Sequence, residues 1–383
     1  MKDLAIASII AGIILIASVI SIEFGVAAAI IEIVLGAVAG NLFNIQPTAW
    51  LTFIASLGGV LLTFLAGTEV DHKILKEKFW TSVLIGGISF ILPFLFVFAY
   101  TYFIAGWSLG ASKIAGIALS TTSLAVVYAV LVETGLNKTE LGKILMASTF
   151  ITDFGTVLAL SVLFLQFNYL SIVFILFSAL LLLFGPKLLI FFFQRYGNKV
   201  IEPEIKLLFL ILFFTMFLGE IGSSHAVLPI FIFGLILSPF FELNRNFIRK
   251  LRTIGFALIT PFFFIKGGML VGFNDLITNI SLILILLAIK VISKIIGVYP
   301  IARMMLPRGG RVFLTLLMST GLTFGTISSI FGLQAGYISK TQFTILIAVV
   351  ILSAVVPTII AQRYWAPASP ELKDEISEKG EQD

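Results

Sequence analysis

Apolar runs of about 17 to 25 residues recur from one end of this chain to the other, and they constrain its fold more than any motif does. A run of that length crosses a ~30 Å hydrocarbon core as a helix, and hydrocarbon offers an open backbone no other hydrogen-bond partner. We read thirteen, over residues 4–22, 25–44, 48–68, 79–105, 112–134, 139–166, 169–195, 204–221, 225–241, 251–272, 277–303, 312–333 and 340–364. The expectation is an all-α polytopic membrane protein. Composition agrees: 59% of residues are hydrophobic and 12% charged, where a soluble domain carries about a quarter charged. The first run lacks the basic leader and cleavage site of a signal peptide and reads as a spanning helix. With no cysteine there is neither a disulfide framework nor a thiolate metal site, and no cofactor motif is present.

The basic residues set an orientation. With the carboxyl terminus cytoplasmic, Lys73, Lys76, Lys78, Lys138, Lys143, Arg195, Lys199, Lys206, Arg245, Arg249, Lys250, Arg252, Arg303, Arg308, Arg311 and Arg363 fall on inner loops, while Lys2, Lys113 and Lys340 fall outside. That asymmetry supports a multi-pass protein of the cell (inner) membrane with an odd number of spans and its amino terminus outside. The net charge of +5 reflects orientation, and its scatter without interleaved aromatics excludes nucleic acid as a partner. Residues 1–366 read as one transmembrane domain. The tail over 367–383 is polar and charged, expected to be disordered, with no soluble domain after it.

Seven ionisable groups fall inside the expected helices: Glu32, Asp153, Lys187, Glu220, Lys266, Lys290 and Lys294. Charges in hydrocarbon are costly and mark cavities, partners or pathways. Lys187 is near a helix end and can snorkel. Glu32 sits among small residues, where it serves helix packing or an ion path. Glu220, beside Gly222-Ser223-Ser224-His225, suits a pathway mouth. Asp153, in MASTFITDFGTVLA, is mid-helix, out of reach of loop water. A buried carboxylate avoids its desolvation cost by holding a proton. A dehydrated Na+ or K+ at the same oxygens stabilises the carboxylate and expels that proton, so one site has two exclusive occupants.

The cation needs further oxygens. Thr121, Thr122 and Ser123 in one run, and Ser319, Thr320, Gly321, Thr323 and Gly325 in another, place hydroxyls and glycines near mid-membrane, where a helix breaks if its freed backbone lines a cavity. Helix packing by the same hydroxyls is the competing reading. These runs are seven apart, and Phe64-Leu-Ala-Gly67 and Phe264-Ile-Lys-Gly267 share that offset weakly. An odd offset inverts the second copy, the arrangement that permits alternating access.

The segments LLTFLAGTEVDHKIL, ALSTTSLAVVYAVLVETG, Thr152-Asp153, ITPFFFIKGGMLV and AIKVISKIIG together resemble the monovalent cation:proton antiporter superfamily, in its second branch of bacterial and archaeal sodium or potassium exchangers. The resemblance implies a homodimer, a core of helices about 79–166 and 277–364 with two crossed discontinuous helices, and a scaffold of helices about 4–68 and 169–272. Many charge-moving members carry paired aspartates in the mid-helix motif. The second resembles Asp153; the first is replaced by Thr152, which leaves Lys294 without the partner that the resemblance implies. If Asp153 alone exchanges, one proton opposes one cation and the cycle is electroneutral, the version we favour. If Lys294 also cycles a proton, the exchange moves charge. Lys266 is a second departure and stands either as a substitute buried cation or as a salt-bridge partner of Glu32. Lys290 lies one turn from Lys294, and the sequence leaves open which faces inward.

Na+, K+ and H+ are therefore the expected partners, with lipid around them. A channel-like K+ efflux member of the same fold is the alternative, counted against by the lack of a Gly-rich βαβ pattern after Trp365. A sodium-coupled organic-solute symporter would need a large amphipathic pocket that nothing points to. An intramembrane enzyme is the least expected reading: His72 and His225 lie near opposite faces, and the sequence offers no Ser/His/Asp, His-rich metal or paired-carboxylate arrangement.

Overall fold

The computed structural model describes residues 2–70, 76–137, 139–164, 169–222, 226–306 and 308–367. His72, Lys73, Lys138, Ser223, Ser224, His225 and the tail beyond Pro367 lie outside the described residues. Among those described, the regular structure is helical and no strand occurs.

In chain order the helices are α1 (Lys2–Phe24), α2 (Ala28–Leu42), α3 (Ala49–Thr68), α4 (Phe79–Ala99), α5 (Leu109–Ser120), α6 (Leu124–Glu133), α7 (Glu140–Leu163), α8 (Tyr169–Tyr196) and α9 (Pro203–Ile221). There follow α10 (Val227–Leu243), α11 (Arg245–Ile254), α12 (Thr260–Met269), α13 (Phe273–Thr278), α14 (Ile280–Met305), α15 (Arg311–Met318), α16 (Thr323–Gln334) and α17 (Lys340–Ile360).

Nine helical segments among the described residues are long and apolar enough to cross a membrane, counting α5–α6 and α15–α16 as one each. The thirteen expected runs all hold helix, but the count of thirteen spans is not reproduced, for local reasons. α2 and α10 are apolar but only 15 and 17 residues long. α9 carries Glu204, Lys206 and Glu220 within 19 residues. The run expected over 251–272 is divided among the end of α11, a π-helical turn at Gly255–Ile259 and the 10-residue α12. The run expected to begin at 112 starts earlier, because Ser108 caps α5 by accepting from the Ala111 N–H at 3.2 Å.

The chain divides into two compact units, Met1–His72 with Val157–Val271 and Lys73–Thr156 with Gly272–Asp383. In the first, α12 packs along α2, and α10 along α3. Glycine makes both approaches possible. A β-carbon on Gly268 would run into the Ile33 carbonyl oxygen and one on Gly36 into that of Ile265; likewise Gly67 abuts the Phe231 carbonyl and Gly234 that of Phe64. Each pair is reciprocal. Shifting the order by seven apolar runs turns α2 into α10 and α3 into the run holding α12, so these two crossings exchange with one another. The weak repeat in the sequence is thus matched by a repeat in the packing. A core of Leu61, Phe64, Leu208, Phe233 and Leu251 fills the space beneath.

In the second unit α4 packs on α5 and α14, and α16 on α5 and α17, over a core that includes Ile85, Val127, Leu145, Val298 and Phe313. Ser339 and Gln342 form a reciprocal capping box that starts α17.

Candidate ion-binding site

Two helices of the second unit are interrupted where the serine and threonine runs fall. α5 stops at Ser120, and Thr121 and Ser123 take extended backbone angles before α6 begins. α15 stops at Met318, and the chain does not resume helix until Thr323. The breaks touch: Thr122 Oγ1 donates to the Met318 carbonyl at 2.9 Å, and the Ser123 N–H to Thr320 Oγ1 at 3.4 Å. The competing reading also holds in part, since Thr121, Ser319 and Thr320 hydroxyls donate back to Ala118, Thr315 and Leu317. A hydroxyl that donates keeps its oxygen lone pairs available to a cation.

The ends of α5 and α15 leave carbonyls without helical partners, with the negative end of each helix dipole beside them. A lysine meets the end of α5, and a second lies beside the break after α15. Lys294 Nζ donates to the Ser120 carbonyl at 2.8 Å, to Ser89 Oγ at 2.8 Å and to Thr122 Oγ1 at 3.1 Å. Lys290 Nζ donates to Ser353 Oγ at 2.9 Å, and Ser353 Oγ faces the Gly321 carbonyl at 3.4 Å. A β-carbon on Gly321 would run into Lys290 Nζ. Lys290 and Lys294 are both fully buried, so the question of which faces inward resolves as both.

Asp153 stands thirteen residues after the start of α7 and ten before its end, buried at 3% exposure. Lys294 lies within electrostatic reach of both Lys290 and Asp153. Thr152 is buried beside it in sequence and donates to the Thr149 carbonyl at 2.7 Å. Thr323 is half-buried at the start of α16, and Gly325 lies close against the Ala118 carbonyl of α5.

Two candidates fall elsewhere. Glu32 on α2 and Lys266 on α12 belong to the first unit. Both are buried at 5% exposure, and no ion pair joins them among the described residues. The salt bridge considered for them is therefore not formed. What the sequence did not single out are Ser89 on α4 and Ser353 on α17, which receive the two lysines. Ser353 is the one serine of α17 and Ser89 one of two in α4, each flanked by apolar residues, and that setting was the available signal.

Membrane-crossing helices, two of them broken and touching, with ammonium groups at the breaks and a carboxylate in mid-helix, define the architecture of a secondary ion transporter. The transmembrane sodium/hydrogen exchanger family matches residues 7–366, and the chain belongs to that family. It is 26% identical to "Probable Na(+)/H(+) antiporter 3" of Methanocaldococcus jannaschii over 87% of this chain and 88% of that one. It is 25% identical to the Na(+)/H(+) antiporter of Enterococcus hirae, covering 91% and 94%. To the Na(+)/H(+)-K(+) antiporter GerN of Bacillus cereus it is 26% identical, covering 88% and 89%. Its fold matches the solved sodium proton antiporter MjNhaP1 from Methanocaldococcus jannaschii with a TM-score of 0.70 at 14% identity, over 96% of this chain and all of that one.

Proposed function

We propose that this protein exchanges a monovalent cation, Na+ or else K+, for H+ by competition at Asp153. The observation that carries this reading is a buried mid-helix carboxylate in the same unit as two interrupted helices whose oxygens are turned inward. In this reading a proton occupies Asp153 whenever the cation does not. A cation entering from one side displaces that proton and takes oxygens from Asp153, Thr152 and the Thr121–Ser123 break in place of water. Release on the other side lets a proton return. Sodium is the first choice because all three relatives above carry it in their names, and potassium the second because GerN carries both.

The cycle we favour moves no net charge. Four neutral oxygens, Ser89 Oγ, the Ser120 and Thr121 carbonyls and Thr122 Oγ1, surround Lys294 Nζ. We favour the electroneutral cycle because Thr152 stands where the resemblance implies an aspartate partner for Lys294 in charge-moving members. We assign the second compact unit as the moving core and the first as scaffold. The protein is further read as a homodimer of the cell membrane with its carboxyl terminus in the cytoplasm.

The test is Asp153→Asn in proteoliposomes. The variant is expected to remain extractable and monodisperse while Na+- or K+-driven collapse of a pH gradient is lost. Full exchange by Asp153→Asn defeats the assignment, and uncoupled K+ flux through the unaltered protein favours the channel-like alternative.

A further inference from the structure

Outside the ion site, α11 is the element whose sequence is least expected in hydrocarbon. RNFIRKLRTI buries Phe247 and Leu251 in the core of the first unit and places Arg245, Arg249 and Arg252 along the wall of an open cleft of about 800 Å³. The i, i+4, i+7 spacing puts these three guanidiniums on one helical face. Glu69, the first residue past spanning helix α3, forms part of the opposite wall, so the cleft lies at the depth of lipid headgroups.

The cleft is not saturated from within. Arg252 is held by Glu69 at 3.4 Å and Arg249 by the Asn246 side chain at 3.1 Å, while Arg245 engages no acceptor among the described residues. Ser238 supplies an independent sign of a ligand. It lines the cleft at 1% exposure, and its hydroxyl has no hydrogen-bond partner among the described residues. A buried polar atom in that state asks for an explanation, and a ligand oxygen provides one. Three arginines against two glutamates, Glu69 and Glu242, leave the lining with one net positive charge. Phe256, 50% exposed, continues the wall as apolar surface.

Guanidiniums and a hydroxyl donor facing one cavity suit a phosphate, and an apolar margin at membrane depth suits the chains attached to it. We propose that this cleft binds the headgroup of an anionic phospholipid, its phosphate on Arg245 and Arg249 with Ser238 donating, and its chains along Phe256. A free phosphate shares the recognition chemistry but has no use for the apolar margin.

The test uses the full chain in detergent, titrated with phosphatidylglycerol, phosphatidylcholine or inorganic phosphate and read by native mass spectrometry. Phosphatidylglycerol is expected to bind at least about tenfold more tightly than phosphatidylcholine. The double variant Arg245→Gln/Arg249→Gln is expected to lose that preference. Ser238→Ala, which changes no charge, is expected to weaken it about threefold or more. Lys250→Gln removes a charge from the same helix on the side paired with Glu202, and is expected to leave the preference intact. Unchanged binding in both the double variant and Ser238→Ala overturns the proposal. A loss of equal size in Lys250→Gln does so too, because bulk charge then suffices. Displacement of the lipid by equimolar inorganic phosphate shows that the occupant is a free anion and overturns the lipid assignment.

Discussion

Lys294 donates to the Ser120 carbonyl oxygen at 2.8 Å, which places an ammonium group where α5 stops. Replacing Lys294 by Gln takes a donor from a buried carbonyl and from Thr122 Oγ1. A loss of about 1–3 kcal/mol in stability is expected. Thermal melting in detergent measures it. If the exchange is electroneutral, transport at temperatures where the variant stays folded is expected to persist and to ignore an imposed membrane potential.

Thr152→Asp installs the carboxylate that the resemblance associates with charge-moving relatives. With an acidic partner available, Lys294 has a reason to bind and release a proton during the cycle. Exchange that speeds or slows under a valinomycin-imposed potential is the expected gain, and it is read against the parent protein under the same potential.

Competition between a proton and a cation at one carboxylate has a defined pH signature. Where the site is mostly protonated, each unit of pH lost is expected to raise the apparent KM for the cation about tenfold, because mass action favours the proton by that factor. The maximal rate is expected to change far less. Initial rates over a grid of cation concentration and pH supply the measurement, and a KM that ignores pH is incompatible with a shared site.

Gly321→Ala directs a methyl group at Lys290 Nζ, with Thr121 Oγ1 3.0 Å away. The lysine end can yield while the backbone of the break cannot, so the cost falls on the geometry of the site more than on the fold. Exchange is expected to drop at least about tenfold, corresponding to about 1.4 kcal/mol, with expression and melting temperature close to those of the parent.

Gly268→Ala tests the other unit. Its new β-carbon meets the Ile33 backbone, which cannot move without parting α2 from α12. Overpacking of about 1–3 kcal/mol is expected. Gly12→Ala on α1 meets nothing within 4 Å and is expected to gain about 0.5–1 kcal/mol from helix propensity. Melting temperatures of the two variants should move in opposite directions.

Hydrophobic run length made the helical membrane fold legible, because hydrocarbon permits little else. It overcounted spans where apolar character and length part company, as in the short α2 and the charged α9. It also joined the end of α11 to α12, since the π-turn between them is as apolar as the start of α12. The breaks were legible at Thr121–Ser123 and Ser319–Gly321, since hydroxyls and glycine loosen a helix locally. Thr122 and Lys294, both singled out in the sequence, meet at 3.1 Å. Ser89 and Ser353 escaped notice because a single serine barely alters the hydropathy of a run; only the fold shows which lysine it receives. The pairing of Glu32 with Lys266 failed for the converse reason: complementary charge does not specify side-chain direction along a shared crossing.

Two lysine side chains thus sit beside the unwound turns of the second unit, Lys294 on the Ser120 carbonyl and Lys290 on Ser353 next to Gly321. Side chains of α4, α14 and α17 meet these loosened segments, so the interruptions are built into the packing of the second unit. In the proposed exchange the affinity of Asp153 for its cation then follows the acidity of the side it faces, the dependence that a regulator of salt and acid needs.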